Sequence, residues 1–320
     1  MDAIKAKLTT TFVEQEDGSE QRVINDQTVL IYRPPGRVVG LTFLITAVSM
    51  PVSKYRSIIQ ALTETDHAVV GVYTNLNPNH REKAERIPAM FEELGPEFRV
   101  HKYDIVGHSI GGKIALLAAA LYDADENKIR SIVALDPVDQ TPAEFTNPGQ
   151  LKRSLMSKPA DGAAGGKANL SLEDTAAAIT VTCTDTGYWI KKQHNGREIQ
   201  RLNPKNVRLI MQRNSHHMVY CDDDGVLSWK SLAGKGSSPD RNKAVKDEAL
   251  HIIRENAAKA TLSGQSKARV TSLVGKAKKA VNDAKNDLTE IGNDAQKLGN
   301  EAKQKGNVMK GMASVRGLFG

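Results

Sequence analysis

Apolar and polar positions alternate along this chain with two different periods. Residues 38–47 form the most apolar run, with Thr42 and Thr46 its only polar side chains, and predict a central strand buried on both faces. Upstream, two alternating runs within residues 3–33 flank the polar stretch 14–19, which predicts an antiparallel hairpin, and Pro34-Pro35-Gly36 then breaks the chain. Downstream, helical spacing at 55–64, 81–94 and 113–122 alternates with β-type runs at 68–73, 103–106 and 132–135. Strands at 179–183 and 207–212 follow. A closing helix over 243–260 would turn Leu250, Ile253 and Ala257 inward. This order predicts an α/β fold with a mostly parallel central sheet flanked by helices, and in such sheets sites lie beyond the carboxyl ends of the strands.

Two segments depart from that rhythm. Residues 141–174 are rich in Pro, Gly, Ala and Lys and read as a lid or mobile loop, with Leu151, Leu155 and Met156 on one stripe of a short helix. Beyond 262 the apolar positions Val274, Ala277, Val281, Ala284, Leu288, Ile291, Ala295, Leu298 and Ala302 step by three and four, a heptad seam. The expected organisation is a domain over 1–262 and a basic, helical C-terminal tail over 263–320. Self-association, packing on the surface of the domain, or contact of Lys276, Lys278, Lys279, Lys303 and Lys305 with a membrane surface would stabilise the tail; the alternative is a solvated extension.

Charge sharpens this division. Residues 241–320 carry 16 basic and 8 acidic side chains, so this part contributes +8 to a total of +7 and leaves −1 for the first 240 residues. Basic charge alone would give only non-specific affinity for nucleic acid, and the heptad region has no aromatic side chain to stack on bases, so no nucleic-acid partner is expected. No run reaches the length of a membrane span, and the first residues lack the apolar core of a secretory signal, which predicts an intracellular protein. Cys183 and Cys221 do not make a disulfide framework and read as two buried thiols.

The chemistry is concentrated at Gly107-His108-Ser109-Ile110-Gly111-Gly112, a G-x-S-x-G-G pattern between the strand at 103–106 and the helix at 113–122. Strand, sharp turn and helix are the setting of a nucleophile elbow, with Ser109 Oγ exposed at the tip. The Ile110 amide at the helix N-terminus would then donate to an oxyanion. His108, one residue earlier, is aimed away from the serine oxygen and reads as a packing residue or as a support behind the catalytic groups.

A serine nucleophile needs a base and a carboxylate to orient it. Three histidines lie between the loop and the closing helix: His194 in a polar turn at 192–196, and His216 and His217 directly after the strand at 207–212. His217 is the preferred base, with His216 its solvent-facing neighbour. Asp136, fixed by Pro137 at the end of one strand, is the preferred acid, and Asp185 at the end of the next is the alternative. Asp139 reads as solvent-exposed, and Asp222-Asp223-Asp224 as a solvated turn. None of this chemistry requires a metal or an organic cofactor.

These stretches together resemble the chlorophyllases, α/β-hydrolases that cleave the phytyl ester of chlorophyll. Residues 107–113 are similar to the family's G-H-S-R-G-G-K, and 135–139 to its I-D-P-V-D/A-G. His217-Met218 followed by Asp222-Asp223 is similar to its G-H-x-D-M-L-D-D. The resemblance implies an α/β-hydrolase fold and a triad of Ser109, Asp136 and His217. It also implies a second oxyanion donor from Val48 or Ser49, an apolar pigment ester as substrate, and a plastid or membrane-associated location. Ile110 stands where the family has arginine, and Gln140 where it has glycine. A general lipase or esterase is the first alternative, and a catalytically silent fold that binds an apolar ligand or a membrane is the second.

Overall fold

The computed structural model describes residues 13–14, 17–75, 77, 79–123, 127–139, 170–185, 194–222 and 238–262. The chain divides after Gly264 into two units, and every described residue belongs to the first. The proposed lid helix at 151–156 and the heptad tail therefore lie outside the described residues.

Nine strands form one sheet: β1 (Val13–Glu14), β2 (Glu20–Ile24), β3 (Gln27–Tyr32), β4 (Gly40–Val48), β5 (His67–Thr74), β6 (Tyr103–His108), β7 (Ile129–Leu135), β8 (Ala178–Thr184) and β9 (Val207–Gln212). Their spatial order is β1-β2-β3-β5-β4-β6-β7-β8-β9. The first three strands and their junction with β5 are antiparallel. From β5 to β9 all neighbours are parallel. The expected hairpin around 14–19 is present, but a second turn follows at Asn25-Asp26, where φ is +48° and +60°. Ile24 pairs with Gln27 across that two-residue turn, which the short polar side chains tolerate in the left-handed region.

Among the described residues five helices cover the sheet: α1 (Arg56–Thr63), α2 (His80–Phe98), α3 (Ile110–Tyr122), α4 (His194–Leu202) and α5 (Pro239–Leu262). Because side chains alternate along a strand, β4 sends Leu41, Phe43 and Ile45 into the core beneath α2, α3 and α4. Leu44 enters the core beneath α1 and α5, and a register irregularity between Ile45 and Val48 turns Ala47 to that same side. Burial on both faces explains the unbroken apolar run at 38–47. Its two hydroxyls are satisfied: Thr42 Oγ1 lies 2.9 Å from His67 Nδ1, and Thr46 Oγ1 accepts the Thr74 amide.

Three readings need correction. Residues 194–196 of the expected polar turn open α4, which anchors itself through buried Ile199. On α5 the buried face runs through Val245, Ala249, Ile252, Ile253 and Ala257, with Leu250 at its edge. Asp222 is half-buried rather than part of a solvated turn: it accepts the Ser57 amide at 2.8 Å and pairs with Lys246, tying α1 to α5.

Candidate active site

The elbow is built by its glycines and by strain at one residue. A Cβ on Gly107 would collide with the Gly111 carbonyl, and one on Gly111 with the Ile45 carbonyl of β4. Ser109 between them has φ +60° and ψ −122° and forms the N-cap of α3. An L-residue holds this conformation only where the surroundings enforce it. Here the Ser109 amide donates to Leu135 O, and its carbonyl accepts from Lys113 at 3.2 Å and Val138 at 3.1 Å. Ser109 is buried, 5% exposed, where the motif suggests an open tip, and the loop after β7 is tied to its carbonyl through the Val138 amide.

Asp136 begins that loop with φ +46°. Its Oδ2 accepts from His217 Nδ1 at 2.8 Å and from Thr184 Oγ1, and its Oδ1 lies 3.4 Å from the Thr184 amide. Three donors converge on one carboxyl group, which suits its acceptor-only, ionised form. The His217 Nδ1 must then carry the proton, which leaves Nε2 as the basic nitrogen. Nε2 has no partner among the described residues.

The alternative acid stands elsewhere. Asp185 Oδ1 accepts the Asn214 amide at 2.6 Å and braces the turn that leads to His217. His216, expected at the surface, is 6% exposed and is the N-cap of the 3-10 turn His217–Tyr220. Asp139 is also buried rather than solvated: Lys113 Nζ on α3 lies 3.0 Å from its Oδ1, with both side chains fully enclosed. This ion pair joins the elbow helix to the loop that carries Asp136. Basic residue and acid were each visible in the two motifs, but nothing in either stretch shows that they pair. Of the three expected oxyanion donors, Ile110 opens α3 and Val48 ends β4. The Ser49 amide is already committed to Thr74 O at 2.8 Å, which removes it from that role.

His108 is completely buried, with its ring 4.7 Å from that of His217 and 5.2 Å from that of Tyr220. Its Nε2 is 2.9 Å from the His217 carbonyl and its Nδ1 is 2.8 Å from Tyr55 Oη. Burial, reinforced by the neighbouring His217, holds its pKa well below the ordinary imidazole value.

A family model described as the alpha/beta hydrolase fold matches residues 65–184. Among solved structures, Est1E from Butyrivibrio proteoclasticus with ferulic acid bound superposes at TM-score 0.51 with 14% identity, over 78% of this chain and 99% of that one. The chain has the α/β-hydrolase fold. A candidate lipase from Acinetobacter baumannii AYE gives the same TM-score of 0.51 at 15% identity, covering 75% of this chain and 92% of the other. At these identities the likeness is one of fold. No curated protein matches the sequence. Among the described residues no cluster of His, Cys, Asp and Glu could hold a metal ion, and no helix is long and apolar enough to cross a membrane.

Proposed function

We propose that the protein is a serine carboxylic-ester hydrolase with Ser109 as nucleophile, His217 as base and Asp136 as orienting acid. The carrying observation is that the 2.8 Å His217–Asp136 bond sits on a loop whose carbonyl is bonded to the residue preceding the strained Ser109. His217 Nε2 takes the Ser109 hydroxyl proton as Oγ attacks the ester carbonyl, and Asp136 stabilises the imidazolium that forms. The Ile110 amide, at the positive end of α3, donates to the oxyanion, with Val48 as the candidate for the second donor. Collapse of the tetrahedral intermediate expels the alcohol, which takes its proton from His217 and leaves an acyl-enzyme. Water, deprotonated by His217, then releases the acid and restores Ser109.

Esters with a large apolar group are the favoured substrates, and the phytyl ester of chlorophyll is the specific reading carried by the resemblance of 107–113 and 135–139. A general esterase or lipase uses the same machinery. Hydrolysis of chlorophyll a beside a nitrophenyl ester series, by the protein and a Ser109→Ala variant, separates these. Pigment turnover abolished in the variant supports both nucleophile and substrate; turnover of simple esters alone keeps the nucleophile and discards the pigment. Activity on neither, or activity that survives Ser109→Ala, overturns the proposal.

A further inference from the structure

The geometry points to His108 and Tyr55 as positioning residues that hold the catalytic loop in register with the elbow, an inference that rests on the hydrolase reading above. A carbonyl oxygen can only accept, so the 2.9 Å contact between His108 Nε2 and the His217 carbonyl fixes the proton on Nε2. His108 Nδ1 is then an acceptor: the Tyr55 hydroxyl donates to it at 2.8 Å, and Cys221 Sγ is a second, longer neighbour at 3.8 Å. The Tyr55 oxygen in turn accepts the Ala47 amide at 2.9 Å. All four groups therefore point one way, from the Ala47 amide through the Tyr55 hydroxyl and the His108 ring to the His217 carbonyl. Such a chain strengthens each bond it contains.

The chain joins three separate parts of the proposed machinery. Ala47 precedes Val48 at the end of β4, His108 precedes Ser109 on the elbow, and the carbonyl belongs to the base itself. Both side chains are fully buried, so water offers no substitute partner. Tyr55 stays protonated, because burial raises its pKa well above the ordinary phenol value. The strut therefore transfers no proton. Its role is to fix the backbone of His217 while Asp136 fixes the ring, and displacement of a reacting group by about 1 Å costs on the order of 100-fold in rate.

The test compares His108→Leu, His108→Gln and Tyr55→Phe with the parent protein and Ser109→Ala. Leucine removes the donor to the His217 carbonyl; glutamine can restore it through its amide. We expect kcat on a nitrophenyl ester to fall about 100-fold in His108→Leu with KM changed less than about threefold, and to recover at least tenfold in His108→Gln. Tyr55→Phe should fall between the two. A leucine variant that keeps kcat within about twofold, or a glutamine variant no faster than the leucine one, overturns the inference. Folding is followed by the thermal transition, and if His108→Leu does not fold, Tyr55→Phe against the parent decides. The hydrolase reading fails separately, as parent activity that is absent or indifferent to Ser109→Ala. In that event ¹⁵N shifts of the parent His108 still test the strut: an Nε2–H tautomer supports it, and an Nδ1–H tautomer refutes it.

Discussion

Two histidine–aspartate contacts lie at opposite ends of the same parallel sheet, and only one is arranged for chemistry. At the carboxyl edge His217 Nδ1 meets Asp136 Oδ2 at 2.8 Å; at the amino edge His67 Nδ1 stands 3.6 Å from Asp104 Oδ2. Both histidines and both aspartates are buried. The amino-edge ring is spent on structure: Nε2 faces the Ala257 carbonyl of α5 at 3.3 Å, and Nδ1 faces Thr42. Asp104 is likewise committed, to the Arg130 guanidinium and the Ser131 hydroxyl. Apart from Ala257, these partners sit on regular strands β4 to β7. At the carboxyl edge the sheet has ended, Ser109 and Asp136 adopt positive φ, and His217 keeps a ring nitrogen with no partner among the described residues. A histidine–aspartate pair is thus no signature of catalysis by itself. What distinguishes this one is a ring nitrogen without a partner among the described residues, the strained Ser109 on the neighbouring turn, and a position where strands give way to loops.

The comparison breaks most directly by neutralising each acid in turn. Asp136→Asn should lower kcat about 10⁴-fold, since an amide favours the wrong imidazole tautomer, and should move the thermal transition little. Asp104→Asn should do the reverse. It leaves the Arg130 charge without its counter-ion and should cost about 3–5 kcal/mol of stability in denaturant titration, with kcat unchanged in the folded fraction. Equal loss of activity in both variants would erase the distinction.

Acidification is expected to act on both edges. Burial holds the pKa values of His67 and His108 below the ordinary value, so the unfolded chain takes up protons first as pH falls. Stability present above about pH 6.5 is therefore lost as pH drops from there toward the folded-state values, at about 1.4 kcal/mol per pH unit for each imidazole. Calorimetry between pH 7.5 and 5 on the parent and a His67→Gln variant reads this, each pH value being roughly spaced to bracket the unfolded imidazole. The variant should show the shallower slope, and an unchanged slope would mean that His67 is not held neutral.

The smallest effect is expected at Asp185, whose carboxylate braces the Asn214 amide. Asp185→Ala should cost about 1 kcal/mol and alter kcat less than about twofold. A loss comparable to that of Asp136→Asn would transfer the acid's role to Asp185.

The elbow was legible in the sequence because every feature that makes it is local: a β-branched strand, two glycines whose missing Cβ atoms admit neighbouring carbonyls, and an apolar helix. Asp136 was legible through strand order and the following proline, and His217 through its place after the last strand. The Asn25-Asp26 turn carried its own signal in residues that accept positive φ, but the longer polar stretch at 14–19 masked it. Helix α4 was hidden by Asn195 and Gly196, weak helix formers whose segment is held in place by burial of Ile199. The burial of Asp139 and the role of His108 depend on partners distant in the chain, Lys113 for one and Tyr55 and His217 for the other. No local pattern encodes such pairings, and a charged or polar residue read alone defaults to the surface.

The central claim is that Ser109 is an activated nucleophile, and the most direct measurement is intact-mass analysis after exposure to a fluorophosphonate. The account predicts one adduct per chain on Ser109, absent from Ser109→Ala and formed far more slowly in Asp136→Asn than in Asp104→Asn. No adduct on the parent protein, or an adduct that persists in Ser109→Ala, would contradict it.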